Sequence, residues 1–308
     1  VAEPWVLPRL QSCLPWGWSP SRCEWVDHLY SVIPAGPTAS GRSRRLHLVY
    51  ADAYRIVRCD NLDSLVEDLE KDLSLFVGEN ARTRVFVHAG VVAIDGRAIV
   101  IPGASFSGKS TLVAALVRSG ATYYSDEYAV LDDRGRVHPY ARPLGLRVGG
   151  EYRGRPVDVV EVGGRAGRRP LPVGMVVLTR FVADGRWQPS PTSQGHALLE
   201  LLANTLCARS QPERVMHVLA AVVGSAACVG SDRGPAEEAA ADLIGRAGQV
   251  AGPAVATALR ALVGPRPTTT SAESPVQKFV TYPELANIEA PFSCTYVSRL
   301  QWNAALGQ

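Results

Sequence analysis

Lysine is almost missing from this chain. Of 308 residues, 32 of them basic, only Lys71, Lys109 and Lys278 are lysines, so generic surface charge is written as arginine and each remaining lysine is informative. No excess of one charge stands out either. The 32 basic and 29 acidic side chains leave +3, which provides no global field toward nucleic acid or an anionic membrane. Aromatic residues are few, at 7%, yet 46% of the chain is apolar, enough to fill a sizeable core and to exclude a disordered or fibrous protein. Cys13, Cys23, Cys59, Cys207, Cys228 and Cys294 form no CxxC pair, against both a zinc framework and a small disulfide scaffold. Long apolar runs are absent too: the stretch from Val218 to Val229 is broken by Gly224 and Ser225 and falls short of the roughly 18 residues a membrane helix needs. The opening Val-Ala-Glu-Pro-Trp has neither the basic head nor the apolar run of a secretory signal. These absences predict a soluble, cytoplasmic protein with no nucleic-acid or membrane partner.

What is present is an ordered series of short elements. Residues 1–40 hold Trp5, Trp16, Trp18 and Trp25 among many prolines, the composition of an irregular segment packed on a domain. Arg45 to Tyr50 and Tyr54 to Arg58 alternate as two strands would. Leu62, Leu65, Val66, Leu69, Leu73, Phe76 and Val77 then recur at steps of three and four, with Asn61 placed to cap the helix they predict. A small N-terminal α+β module over residues 1–80 follows from this pattern. Further on, Val85 to His88, Val91 to Ile94 and Arg97 to Ile101 read as strands, with Asp95-Gly96 as the hairpin turn. A helix over Thr111 to Ser119, a strand over Ala121 to Ser125, a hairpin around Asp133-Arg-Gly135 and a long strand from Val173 to Val182 come next. Gln194 to Ala208, Pro212 to Val223 and Pro235 to Gly245 are predicted helices. Gly149 to Arg169, rich in glycine and arginine, is expected to be a mobile cationic loop. Residues 251–308 are taken as a separate C-terminal region of helix, linker and tail, with linker composition from Pro265 to Pro275.

The strongest chemical signal lies between strand and helix. Gly103-Ala104-Ser105-Phe106-Ser107-Gly108-Lys109-Ser110 fits GxxxxGK[ST], a pattern in which backbone N–H groups wrap phosphate oxygens, a lysine adds positive charge and a hydroxyl reaches Mg²⁺. The helix beginning near Thr111 points its positive end at the anion. A glycine turn that merely caps a helix is the competing account. Asp126-Glu127 ends the following strand, where a carboxylate reaches both the metal and an incoming nucleophile. Neighbours on a strand face opposite ways, so the two share one task only if the chain turns there. His88 ends a strand whose hairpin partner leads into the loop, which brings it close to the phosphates, although a lone histidine is more often structural.

Taken in order, His88-Ala-Gly, a hairpin, Gly-Ala-Ser-Phe-Ser-Gly-Lys-Ser, a helix ending Arg-Ser-Gly-Ala, and Tyr-Tyr-Ser-Asp126-Glu127 resemble the catalytic domain of HPr kinase/phosphorylase and its kinase-like relatives, among them serine kinases of peptide natural-product clusters. The resemblance covers about residues 82–245. It implies an α/β fold, a P-loop kinase-like core with a mixed β-sheet flanked by helices, over residues 81–250. It further implies Asp126 as general base toward a serine hydroxyl, His88 as an active-site histidine, Lys109 on the β and γ phosphates, residues Gly103 to Thr111 around the nucleotide, and Ser110, Asp126 and Glu127 near the metal. Glu127 stands where the family usually has a second Asp. The family's arginine- and glycine-containing signature appears loosely as Arg142-Pro-Leu-Gly145-Leu-Arg147, and a homo-oligomer is implied. The first 80 residues do not look like the regulatory domain of HPr kinase, which argues against HPr as the substrate.

The expected function is therefore a Mg-ATP-dependent kinase acting on a hydroxyl of a peptide, protein or small molecule, with ATP and Mg²⁺ as cofactors. Two alternatives use the same loop. One is a nucleotide-responsive binding module without phosphotransfer, and the other an NTP hydrolase with water as acceptor, since a base that activates a hydroxyl also activates water.

Overall fold

The structure is a computed structural model that describes residues 4–14, 18–20, 26–37, 43–146, 154–250 and 300–301. The described residues divide into two compact units, one of residues up to Leu73 together with 300–301 and one of residues from Ser74 to 250. The tail from 251 to 299, with Lys278, lies outside the described residues.

In the first unit, α1 (Leu7–Ser12) accompanies an antiparallel sheet in the order β1 (Tyr30–Ile33), β2 (His47–Ala51), β3 (Tyr54–Cys59). Asp52 turns the hairpin with a positive φ of 51°. The strand over Tyr30–Ile33 falls in the stretch read as irregular, because four residues flanked by proline and glycine carry too little alternation to be seen. Val6, Val32, Val49, Val57, Leu65 and Leu69 form its core. The helix predicted from residue 62 is α2 (Leu62–Asn80), which crosses the division between the units. Asn61 Oδ1 accepts the backbone N–H groups of Asp63 and Ser64, the cap its position foretold.

The second unit is mixed α/β, a large sheet flanked by helices. Its elements in chain order are β4 (Val85–Ile94), β5 (Arg97–Pro102), α3 (Lys109–Arg118), β6 (Thr122–Ser125), β7 (Tyr128–Leu131), β8 (Arg136–His138), β9 (Leu144–Leu146) and β10 (Arg155–Val157). Then come β11 (Leu171–Phe181), β12 (Ser190–Pro191), α4 (Gln194–Ala203), α5 (Pro212–Ser225), β13 (Ala227–Arg233) and α6 (Ala236–Val250). The sheet order is β8-β7-β4-β5-β11-β13-β12, with β6 also on β4. β8 additionally pairs with the start of β11, so the ladder returns on itself through β7, β4 and β5.

The turn between β4 and β5 has φ of 48° at Asp95 and 74° at Gly96, the double positive φ that an Asp-Gly pair supplies at least strain. Val85 to His88 and Val91 to Ile94, read as separate pieces, are one ten-residue strand. Its first half pairs with β7 and its second with β5 and β6. Along β5, Ala98 and Val100 belong to one core while Ile99 and Ile101 belong to the other. The first core includes α4 and α5 and the second α3 and α6, so the strand is apolar on both faces and reads as a continuous run.

β11 is parallel to β5 on one side and to β13 on the other. The carboxyl ends of three neighbouring strands therefore lie together, the edge at which open α/β sheets take ligands. β13 was not foreseen: Ala-Cys-Val-Gly-Ser-Asp-Arg has a glycine and three polar residues in its second half, and its pairing partner is some 50 residues away. The helix expected over Gln194 to Ala208 ends at Ala203, since Asn204 and Thr205 turn their side chains back onto carbonyls of the last turn.

Part of the expected mobile loop is tied down. Tyr123 N–H donates to the Arg165 carbonyl at 2.9 Å, and Gly167 N–H to the Tyr123 carbonyl at 2.7 Å, while the Tyr124 hydroxyl donates to the Arg169 carbonyl. A Cβ at Gly167 would overlap the Tyr124 ring, so the composition taken as looseness is there to let the segment lie flat against β6. Residues 147–153 lie outside the described residues.

Candidate functional site

The glycine loop joins β5 to α3, and its backbone is shaped by three residues of positive φ: Gly103 at 158°, Phe106 at 68° and Gly108 at 83°. Gly108 is the helix N-cap in the left-handed region, a conformation glycine adopts without steric cost. Lys109 is buried, and its ammonium donates to the carbonyls of Gly103 and Ala104 at 2.7 Å each. Ser107 Oγ is buried with no hydrogen-bond partner, an orphan of the kind that a bound polar group satisfies. Ser110 is half-buried on the first turn of α3, and Ala104, Ser105 and Phe106 are exposed.

Two backbone hydrogen bonds bracket one position on β4. Gly103 N–H donates to the His88 carbonyl at 3.2 Å, and Ala89 N–H to the Glu127 carbonyl at 3.1 Å. His88-Ala89 thus has the start of the loop on one edge and the acidic pair on the other, a span of about two strand spacings, ~10 Å. Gly90 completes the arrangement, because a Cβ there would stand 2.6 Å from a Val113 methyl and 3.8 Å from Lys109 Cβ. Its missing side chain lets α3 lie close across the strand.

Asp126 and Glu127 occupy the link between β6 and β7 rather than a strand. Ser125 is buried, and its Oγ accepts N–H bonds from Glu127 at 3.1 Å and Tyr128 at 3.0 Å, so the chain turns here and the alternation of a strand no longer separates the two carboxylates. The half-buried Asp126 is held at both oxygens. Oδ1 lies 3.0 Å from the Tyr123 hydroxyl, and Oδ2 accepts the Gly145 N–H at 3.0 Å. A carboxylate has about four acceptor positions, which leaves room for a further donor.

Burial, reinforced by the positive charge of Lys109, pushes the His88 imidazole down to about 4. It is therefore neutral at pH 7, its ring centroid 5.8 Å from that of Tyr128. Tyr123 and Tyr128 are held well above the ordinary phenol range, first by burial and next by the carboxylates of Asp126 and Glu127 respectively, so both stay protonated donors. Arg142, the first arginine of the loose signature, donates to Ser74 Oγ at 2.7 Å and lies over the Tyr140 ring. Arg147 lies outside the described residues.

Of the residues singled out in the sequence, His88, Lys109 and the loop 103–111 meet around the start of α3, and the Asp126-Glu127 link joins them through β4. Tyr123, Gly145 and Arg233 were missed. Tyr123 and Gly145 had a faint signal, one in the Tyr-Tyr-Ser-Asp run and the other in the loose signature. Arg233 had none, since β13 itself was not foreseen. Among the described residues no group of three His, Cys, Asp or Glu side chains is placed to hold a metal ion, and no helix is long and apolar enough to cross a membrane. Compared with protein-family models, curated proteins and solved structures, the chain has no match in any of the three.

Proposed function

We propose that the second unit is a P-loop kinase-like core that transfers the γ-phosphoryl group of Mg-ATP to a hydroxyl, serine being the acceptor that the resemblance suggests. The observation that carries this reading is the bracketing of His88-Ala89 by Gly103 on one edge and Glu127 on the other, which sets a glycine loop and an acidic turn on opposite edges of the same strand. The chemistry asks chiefly for positioning and charge neutralisation.

Each group has a task in that scheme. Backbone N–H groups of the loop up to Thr111, apart from those of Gly103 and Ser107, which already donate to the His88 and Ala104 carbonyls, and the α3 dipole receive the phosphates, and Ser107 Oγ gains the partner it lacks. Lys109 swings from the Gly103 and Ala104 carbonyls to the phosphate oxygens. Asp126 takes the acceptor's proton as the oxygen–phosphorus bond forms and the bond to the β–γ bridging oxygen breaks, with ADP as the leaving group. The hydrogen bonds from Tyr123 and Gly145 aim its carboxylate. His88, neutral, adds no positive charge that would compete with Lys109, and carries one donor and one acceptor nitrogen. Mg²⁺ commonly takes one or two carboxylates plus phosphate oxygens and water; Ser110 with Asp126 or Glu127 would hold it without an all-protein cage, and it would neutralise charge on the phosphates.

Incubation with γ-labelled ATP, Mg²⁺ and a serine-containing peptide library tests the reading. Label on a peptide, lost in Asp126→Asn while ATP still binds, is the expected result. Tight ATP binding with no label leaving ATP would count for a nucleotide-responsive module, and label released only as free phosphate for a hydrolase.

A further inference from the structure

Arg233 ends β13 with a side chain that is only 2% exposed. Its Nη2 donates to the Gly108 carbonyl at 2.6 Å and Nη1 to the Gly234 carbonyl at 3.1 Å, while Nε is buried with no partner. The Phe181 ring covers the guanidinium, 5.8 Å from its centroid. No carboxylate among the described residues is ion-paired with it. Glu237 acts on it only from a distance, and burial is the larger influence, pulling its basicity down.

An arginine keeps its proton under these conditions, so the fold holds a dehydrated cation met at contact distance by two carbonyl oxygens and the Phe181 ring, with no ion pair among the described residues. Such a charge is costly unless an anion completes it. Among the described residues, the anion-binding pattern beside it is the loop it touches. Gly108 O also accepts the N–H of Leu112 at 3.1 Å, so this carbonyl is held from two sides. A Cβ at Gly108 would lie 2.5 Å from Nη2, and glycine at this place therefore serves the arginine's approach as well as the backbone angle.

We propose that Arg233 is the buried counter-charge for the polyphosphate end of the nucleotide: a positioning residue that braces Gly108 and supplies, from behind the loop, positive charge that a bound phosphate completes. The inference rests on reading the loop 103–110 as the phosphate site. It also explains why an arginine stands at the carboxyl end of a parallel strand next to Phe181, where an apolar residue would pack at lower cost.

The test compares wild type, Lys109→Ala, Arg233→Met and Arg233→Gln by ligand-free melting temperature and by the calorimetric Kd for Mg-ATP at low and high salt. Methionine fills the arginine's volume without charge; glutamine keeps a donor for the Gly108 carbonyl and also lacks the charge. Both variants are expected to melt within a few degrees of wild type yet to bind Mg-ATP on the order of tenfold or more weakly, with a shallower dependence on salt. A merely structural arginine would do the opposite, lowering the melting temperature and leaving Kd unchanged. Wild-type affinity in Arg233→Gln overturns the inference, and decides alone if Arg233→Met does not fold. If Lys109→Ala weakens binding while both Arg233 variants bind as wild type, the phosphate site stands and the counter-charge does not. Should Lys109→Ala bind as wild type, or wild type not bind at all, the phosphate reading itself fails and takes the inference with it.

Discussion

The Tyr123 hydroxyl sits 3.0 Å from Asp126 Oδ1 and 2.8 Å from the Arg142 carbonyl oxygen. One proton is shared between a carboxylate and the chain that follows β8. This phenol is 1% exposed, and burial first, with Asp126 next, keeps it protonated, so its proton is there to donate. Tyr123→Phe is expected to leave the KM for ATP unchanged and to reduce kcat about tenfold, because the carboxylate loses one of the two bonds that aim it. Unfolding free energy should fall by about 1 kcal/mol. Steady-state kinetics and urea titration check both; unchanged kcat would show that Gly145 alone orients Asp126.

Gly108→Ala should be poorly tolerated. The backbone angle of 83° places an L-residue in the left-handed region, a cost of about 1–2 kcal/mol, and the new methyl meets Arg233. We expect that loss in unfolding free energy together with weakened ATP binding. Gly96→Ala, also at positive φ but with nothing within 4 Å of the added methyl, should lose stability without losing binding.

His88 couples stability to pH. Its folded-state value of about 4 lies below its ordinary 6.5, so the unfolded chain takes up the proton first on acidification. The contribution is complete above about pH 6.5 and is lost as pH falls through the window down to about 4. His88→Gln should flatten the decline in unfolding free energy between pH 7 and 4.5 by roughly 1–2 kcal/mol. In the same variant, an unchanged stability profile would show that the imidazole is not held neutral by its surroundings.

Asp132 anchors the far end of the β7–β8 hairpin. Its Oδ1 accepts the N–H groups of Arg134 and Arg136, and its Oδ2 faces Arg136 Nε at 2.9 Å and His138 Nε2 at 3.1 Å. Burial would raise this carboxyl, but the bonds from Arg136 and His138 outweigh it and hold it below the usual carboxylate range. Its share of stability is present above that range and is lost as pH falls through the folded value. Asp132→Ala should cost about 2–4 kcal/mol at pH 7, with a smaller difference from wild type at pH 3, by chemical denaturation.

The local elements were legible because their causes are local. Asp95-Gly96 dictates the turn between β4 and β5 through its own φ angles, Asn61 caps α2 from the next residues along, and the glycine-lysine-serine pattern marks its loop wherever a strand precedes and a helix follows. The two carboxylates after β6 were also visible, though not the turn that Ser125 makes of them. Tertiary structure alone decided the rest. The residues that hold Asp126, Tyr123 and Gly145, meet only after β9 is laid beside the acidic link, and Arg233 reaches Gly108 across 125 positions of sequence. The flat segment Arg165 to Gly167 likewise reads as loose composition until β6 offers it an edge. Periodicity and turn chemistry report the angles and nearest neighbours of a residue, whereas strand pairing and the burial of a charge depend on which distant segment arrives beside it. The chain's sequence by itself determined a glycine loop between strand and helix; which groups brace that loop and hold Asp126 was decided by β13 arriving beside β11 and by β9 arriving beside the acidic link.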